Sequence, residues 1–366
     1  MMKEHYMQRA LQLAQLAVGR TSPNPMVGAV IVKHNKIIGE GYHQYCGGLH
    51  AERNAFLNCT EDPAEGDLYV TLEPCCHHGR TPPCTDIIIE KNIKNVFIGS
   101  TDPNPLVAGK GIAILQQKGI HVETGILKEQ CDALNTVFFH YIKTKQPYVV
   151  MKYAMTADGK IATVTGDSKW ITSEKAREQV HYMRNALSAI MVGIGTVLAD
   201  NPLLNCRIEG GKNPTRIICD STLKIPMESQ IVQTANEIPT IVAFAKKQPE
   251  KQQKLQQAGI QLLYLPNEYG KVDLKALMTA LAKQEIDSVL LEGGATLNEC
   301  ALQSGIVQRI ALYIAPKIFG GSQSKTPVGG RGVLLARDAY PLHFRSCQKV
   351  GEDMLLEYDV KKAGEL

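Results

Sequence analysis

Asp67-Leu68-Tyr69-Val70-Thr71-Leu72-Glu73-Pro74-Cys75-Cys76-His77-His78-Gly79-Arg80-Thr81-Pro82-Pro83-Cys84-Thr85-Asp86-Ile87-Ile88-Ile89-Glu90 decides how this chain folds. Asp67–Leu72 reads as a strand that delivers Cys75 just past its end, and Thr85–Glu90 as a helix that starts at Cys84. Upstream, His50-Ala51-Glu52 opens a second helix over 51–57. One imidazole, two thiols and a carboxylate are the parts of a hydrolytic zinc centre that deaminates an aromatic ring. A catalytic zinc keeps three protein ligands and leaves its fourth position to water. His50, Cys75 and Cys84 are therefore the predicted ligands of one Zn²⁺, and Glu52 the predicted catalytic proton carrier. Two thiolates and a neutral imidazole balance the ion, which lowers the pKa of water towards about 7. Helix starts at the ligands favour thiolate through their positive ends.

A closed structural site is the competing reading, with Cys76, His77 or His78 as fourth ligand. Such a site needs no neighbouring carboxylate, whereas Glu52 stands beside the first ligand. The spacing departs from Pro-Cys-x-x-Cys, because an inserted loop, Cys76 to Pro83, separates the two cysteines.

Around this core the chain alternates strands and helices. A helix is expected over 4–19, and a hairpin of strands 27–32 and 37–42 around Lys33-His34-Asn35-Lys36. Beyond Cys84 come strand 95–99, helix 109–118, strand 121–125 and helix 128–144. This pattern predicts an α/β layered domain, with the site where strands end and helices begin. Lys145-Gln146-Pro147 precedes a new strand, 148–154, placing the domain boundary at 1–146 and 147–366. The second half repeats the alternation, with strands 189–192, 215–219, 240–243, 288–291 and 309–315 and a terminal hairpin of 345–350 and 353–360.

Composition bounds the function. The 366 residues suit two domains, and 44% apolar with 21% charged residues is globular usage. A net charge of +4 without a basic run, one Trp and seven Phe argue against a nucleic-acid binder. An RNA base deaminase shares the His-x-Glu core but predicts a basic, aromatic groove, and neither is apparent. A zinc-stabilised scaffold predicts that Glu52 is dispensable. No apolar signal core or 18-residue apolar run is seen, so no membrane partner is expected and cytoplasm is the expected compartment. The cysteines outside the centre are read as reduced.

In the second half, strand 288–291 runs into Glu292-Gly293-Gly294-Ala295-Thr296-Leu297-Asn298 and a helix, a turn where backbone amides can meet a diphosphate. Gly193-Ile194-Gly195-Thr196 also follows a strand. Arg184 and Arg207 are candidate phosphate anchors, and Trp170 is either a cofactor platform or core.

Taken together, the two halves resemble the bifunctional riboflavin-biosynthesis deaminase–reductase family over nearly the whole chain. Thr21-Ser22-Pro23-Asn24-Pro25, Gly28-Ala29-Val30-Ile31-Val32, Gly41-Tyr42-His43, His50-Ala51-Glu52 and the long run Thr71 to Cys84 carry the first half. Lys152 with Asp158-Gly159-Lys160-Ile161-Ala162, Ser168-Lys169-Trp170-Ile171-Thr172, Gly195 to Pro202, Asp220-Ser221 and Glu292-Gly293-Gly294 carry the second. The resemblance implies a cytidine-deaminase-like three-layer α/β/α domain followed by a dihydrofolate-reductase-like α/β domain that uses NADPH. It implies that Ala154, Trp170, Thr196, Asp200, Ser221 and the turn Gly294, Ala295, Thr296, Leu297, Asn298, Glu299, Cys300 face NADPH. Ser168, Arg184, Leu204, Arg207 and Glu292 would face a phosphoribosyl pyrimidine. Lys152 would polarise a developing charge or contact phosphate, and Asn24, His43 and Arg80 would line the deaminase pocket. The implied chemistry is zinc-dependent loss of the 2-amino group of a diaminopyrimidinone ribosylamine phosphate, then hydride transfer to C1′ of the opened ribosyl group. A homo-oligomer, dimer or tetramer, is expected. Two positions depart from the pattern: Asn201 stands where Asp is common, and Lys224 where Arg is usual.

Overall fold

Two sheets organise the chain, each with helices on both faces. In the computed structural model, which describes residues 2–77 and 82–361, they form two compact units, Met1–Lys145 and Gln146–Leu366. The first unit runs α1 (Met2–Gln15), β1 (Gly28–Lys33), β2 (Lys36–Tyr42), α2 (Ala51–Leu57), β3 (Asp67–Leu72), α3 (Cys84–Glu90), β4 (Asn95–Ser100), α4 (Lys110–Gln117), β5 (His121–Thr124), α5 (Lys128–Leu134) and α6 (Thr136–Thr144). Its sheet has the order β2-β1-β3-β4-β5, with β1 antiparallel to both neighbours and β3, β4 and β5 parallel.

Alternation along β1 builds the three layers. Ala29 and Ile31 pack with Ala55 of α2, Ile88 of α3 and Leu115 of α4. Val30 and Val32 pack on the other face with Met7, Ala10 and Leu11 of α1 and with Cys131 of α5. Gly28 is required where α1 crosses β1, since a Cβ there would lie 1.9 Å from the Ala10 carbonyl oxygen. His34 and Asn35 take φ of 50° and 60°, the two left-handed residues of a tight hairpin turn.

Two helices differ from expectation. α1 stops at Gln15, not 19, because Leu16, Ala17 and Val18 donate to carbonyls only three residues back and tighten into turns. The helix expected over 128–144 breaks at Asn135. Its buried side chain accepts from Met26 N at 2.8 Å and donates to Met26 O at 2.9 Å, so its backbone follows that tertiary bond rather than the helix.

The second unit contains β6 (Tyr148–Thr156), α7 (Glu174–Ala186), β7 (Ala189–Gly193), α8 (Ile194–Asp200), β8 (Thr215–Cys219), α9 (Gln230–Gln233), β9 (Thr240–Phe244), α10 (Pro249–Gln257), β10 (Gln261–Tyr264), α11 (Leu274–Ala282), β11 (Ser288–Leu291), α12 (Ala295–Gln303), β12 (Val307–Ala315), β13 (Leu342–Val350) and β14 (Asp353–Val360). The sheet order is β10-β9-β8-β7-β11-β6-β12-β14-β13, and only the β14 pairings are antiparallel. β10, a short strand at the far edge, was not anticipated, and the terminal hairpin begins at Leu342 rather than 345. Ala189 and Met191 face one apolar cluster, Ile190 and Val192 the other, so both faces are covered. Chain order reverses between β7 and β11: β7 leads through α8 to β8, whereas β11 leads through α12 to β12 on the opposite side. Such a switch point opens a crevice beyond the carboxyl ends of the strands.

Candidate active sites

The first site sits where β3 ends and α2 and α3 begin. His50 is the residue that precedes α2, with φ −69° and ψ 160°, and Cys84 is the first residue of α3. Cys75 lies between them, its Sγ 3.4 Å from His50 Nδ1 and accepting from Cys84 N at 3.3 Å. Cys84 Sγ is 3.3 Å from the same His50 nitrogen, and all three donor atoms lie within 4.8 Å of one another. Bonds of about 2.1 and 2.3 Å at a tetrahedral angle place nitrogen and sulfur donors about 3.6 Å apart, so the donor set fits one zinc ion.

Protonation within the cluster is uneven. Cys84 as donor pulls the Cys75 thiol down to about 4, against the effect of burial. Cys84 goes the other way and holds the shared proton, and the Cys75 thiolate raises His50. A metal must displace these protons to use all three donors. Glu52 is 3% exposed, and burial pushes its carboxyl above the usual range, with its side chain in hydrogen-bonding reach of Cys84. Among the described residues no fourth His, Cys or carboxylate joins the three donors. Cys76 instead turns its Sγ to Leu106 O at 3.7 Å. His78 and Arg80 lie outside the described residues.

Asn24 and His43 are brought to this site. The His43 ring packs edge-on against His50 at 5.5 Å between centroids. Leu49 O accepts from His43 Nδ1 at 3.0 Å, and burial keeps the ring neutral, so Nε2 is the acceptor for Asn24 Nδ2 at 3.2 Å. That bond orients the Asn24 amide and leaves its Oδ1 as the acceptor.

Two supporting residues escaped the sequence reading. Arg53 donates to Pro82 O and Pro83 O, each at 3.1 Å, tying α2 to the residues before Cys84. Buried Glu73 accepts from Asp102 N, Gly109 N and Ile112 N at 3.2, 3.0 and 3.4 Å, fixing the strand end that carries Cys75. A carboxylate immediately before Pro74-Cys75 was the available signal.

The second unit gathers a charged cluster at the carboxyl ends of β6 and β11. Arg184 on α7 grips Glu292, just past β11, through Nε and one terminal nitrogen at 2.9 and 3.0 Å. Burial pushes the Glu292 carboxyl up, but Arg184 and then Lys152 outweigh it and hold it near about 2. Lys152 on β6 faces the same pair, with Nζ 5.7 Å from the centre of the Tyr313 ring, and burial lowers its ammonium. Arg184 also donates to Asn205 O at 3.1 Å, and Arg207 Nε to Asn205 Oδ1 at 3.3 Å, which draws the 204–207 loop in. The Leu204 side chain is buried in the core, so only its backbone is available there.

The remaining residues rim the crevice. Lys169 lies 3.9 Å from Asp200, bringing the loop of Ser168 and Trp170 to the end of α8, beyond Thr196. Trp170 is 61% exposed, with the Arg177 guanidinium 4.5 Å from its ring centre, so it is no core residue. Ala154 shares the Lys152 face of β6, and Ser221 stands at the end of β8, where its carbonyl accepts from Ala245 N and Lys246 N. Gly294 caps α12, and a Cβ at Gly294 or Gly195 would meet nothing within 4 Å, a backbone cradle open to a ligand. Within that turn Asn298 and Glu299 are buried and Ala295, Thr296, Leu297 and Cys300 are not; Asn298 Nδ2 donates to Pro327 O at 2.9 Å. Asn201 caps α8 with φ 41° and uses its amide oxygen to accept from Gln230 N, a bond an Asp would make equally.

Residues 1–100 match the cytidine and deoxycytidylate deaminase zinc-binding region, and residues 147–356 match the RibD C-terminal domain. The riboflavin biosynthesis protein RibD of Actinobacillus pleuropneumoniae is 56% identical over 355 residues, covering 97% of this chain and 94% of that protein. That of Escherichia coli (strain K12) is 39% identical over 369 residues, covering 97% and 99%. The solved diaminohydroxyphosphoribosylaminopyrimidine deaminase/5-amino-6-(5-phosphoribosylamino)uracil reductase of Thermotoga maritima superposes with a TM-score of 0.88 at 38% identity, covering 98% of this chain and 99% of that one. Acinetobacter baumannii RibD gives 0.87 at 34%, also covering 98% and 99%. Fold and site together define a zinc-dependent deaminase unit joined to a reductase unit. The chain belongs to the RibD family, the bifunctional deaminase–reductases of riboflavin biosynthesis. No helix among the described residues is long and apolar enough to cross a membrane.

Proposed function

We propose that His50, Cys75 and Cys84 hold zinc and Glu52 carries protons while the first unit removes the 2-amino group of a diaminopyrimidinone ribosylamine 5′-phosphate. The second unit then reduces the ribosyl group of the aminouracil product with NADPH. The observation that carries this reading is the convergence of three donors beside buried Glu52, with no fourth protein ligand among the described residues. Zinc, when bound there, supplies the Lewis acidity that makes water ionise near neutral pH. Glu52 accepts the proton of the attacking water and returns it to the ring nitrogen and the departing ammonia. Asn24, oriented by His43, presents an acceptor to the substrate's polar edge.

NADPH supplies the hydride. The Gly294–Cys300 segment faces its diphosphate through the free backbone amides at the start of α12, while Ala154, Trp170, Thr196, Asp200 and Ser221 line its path. Ser168, Arg184, Arg207, Glu292 and the Leu204 backbone hold the phosphoribosyl group, and Lys152 faces the carbon that is reduced. The ligand is a small anionic molecule, and the compartment is the cytoplasm. A homo-oligomer, a dimer or tetramer, is supported by exposed apolar side chains on β13 and on the segment leading into it, where Phe344 is 56% and Leu334 95% exposed. Supplying the diaminopyrimidine ribotide to purified protein and following ammonia and NADPH separately tests the whole scheme. Ammonia release without NADPH oxidation refutes the reading of the second unit, and oxidation without ammonia refutes that of the first.

A further inference from the structure

We propose that His181 is a third phosphate-binding group of the reductase site, gripping the substrate's 5′-phosphate with Arg184 and Arg207. The inference rests on the reading of Arg184 and Arg207 given above and adds a residue to it. His181 precedes Arg184 by three positions on α7, so the two side chains share one face of that helix. The 205–207 segment is fastened to α7 at both levels: Cys206 Sγ meets His181 O at 3.5 Å, and Asn205 O accepts from Arg184 Nη1 at 3.1 Å. Arg207, tied to Asn205 Oδ1, is thereby held against the same turn of the helix. His181 Nδ1 is buried and has no hydrogen-bond partner, which in a polar cleft calls for an explanation.

Charge supplies one. The groups that act on the imidazole are Arg184 from its own helix, Arg207 and Asn205 from the facing loop, and Glu292 from the end of β11. Arg184 is already matched by the Glu292 carboxylate. Among the described residues that act on this imidazole, Arg207 is then the cation without a carboxylate partner, against a phosphate monoester of charge about −1.5 to −2. Burial, followed by the two guanidiniums, keeps the empty imidazole below its ordinary value and neutral. An arriving phosphate cancels the guanidinium field, so His181 takes up a proton and its imidazolium adds a third positive charge around the phosphate. Grip tightens as pH falls through the imidazole range and loosens as pH rises.

The test uses the full chain with NADPH and compares the aminouracil ribotide with its 5′-dephosphorylated form. For His181→Gln at about pH 6, KM for the ribotide should rise about 10-fold with kcat little changed. Near pH 8.5 the variant and parent should converge. Comparing variant with parent at each pH cancels the titration of the phosphate itself. His181→Lys, which keeps a cation at every pH, should restore tight binding and flatten the pH dependence. An unchanged KM at both pH values overturns the proposal, as does an equal loss for the dephosphorylated compound or a failure of Lys to rescue. Arg207→Ala separates the two levels of argument. If it too leaves the preference for the phosphorylated form intact, the assignment of the phosphate to this face is wrong; if only the His181 variants are silent, this inference alone fails. The fluorescence of Trp170, the chain's single tryptophan and part of the second unit, controls for misfolding in the same samples.

Discussion

Replacing Glu292 by Gln tests the electrostatics of the second unit most directly. Its carboxylate takes two hydrogen bonds from Arg184, and the two side chains are only 15% and 14% exposed, so solvent screens the pair little. Holding that carboxyl near about 2, from an ordinary 4.5, corresponds to roughly 3 kcal/mol at 1.36 kcal/mol per decade. Because the folded value is depressed, the contribution is full above about pH 4.5 and is lost as pH falls towards 2. Gln keeps the shape but leaves Arg184 and Lys152 as buried cations without their anion, a change that costs about 3–5 kcal/mol at neutral pH. Trp170 is the chain's single tryptophan and reports unfolding of the second unit alone. Its urea midpoint should drop by about 1 M or more at a slope of about 2–3 kcal/mol/M. The double replacement Arg184→Met with Glu292→Leu should cost less than the two single changes added together, because the guanidinium and the carboxylate go together and only Lys152 is left without its anion. A Glu292→Gln midpoint within about 0.2 M of the parent would refute the account.

Glu52→Gln should retain zinc by metal analysis yet release ammonia on the order of 10²-fold more slowly. Gly293→Ala should weaken NADPH binding about 10-fold in a fluorescence titration. A Cβ at that position would lie 2.6 Å from Asn298 Oδ1 and 3.2 Å from Leu291 and Leu297, forcing the turn open. Arg216→Met should destabilise the second unit by about 3 kcal/mol in the same urea assay. The fully buried guanidinium of Arg216 donates to Leu203 O, Ile231 O, Thr234 O, Ile238 O and two threonine hydroxyls, and these acceptors would be stranded.

The zinc centre could be read from the chain because its parts are local and chemically rare. His50 and Glu52 sit within one helix start, and a thiol at a strand end must find another within a loop's reach. Most strands were legible for a related reason: each is a short apolar run bounded by polar turns, and β1, β3 and β4 are buried at all but one terminal residue each. Tertiary bonds hid the rest. Nothing near Asn135 announces that Met26, 109 residues away in sequence, will capture its amide and break a helix. Within the reductase cluster the residues alone mark Arg184 and Arg207 as candidate phosphate anchors, and only the resemblance joins them to Lys152 and Glu292, because the four come from separate segments. Strand order places β6 between β11 and β12, and α7 reaches Glu292 just past β11 and Tyr313 on β12, facts that no window of sequence contains. His181 carries no motif of its own, and it becomes visible only once Arg184 and the 205–207 loop are seen around it.

Both units put their chemistry at the carboxyl ends of strands, yet they manage charge in opposite ways. The first assembles donors that share protons among themselves and must give them up to a metal. The second carries its own counter-ion: Glu292 fixes the Arg184 side chain in place before any ligand arrives. A buried pair of this kind adds little to stability compared with well-packed apolar residues. Its presence beside Lys152 and His181 is better explained by what it spares the ligand. In the proposed scheme, a guanidinium already oriented need not reorganise when a phosphate and a developing charge at the ribosyl carbon enter together. The same logic explains why Glu292 sits at the turn into Gly293 and Gly294. There a single backbone segment sets the position of the counter-ion on one side and, in the proposed scheme, of the amides offered to a diphosphate on the other. Moving that segment would disturb cofactor and substrate at once.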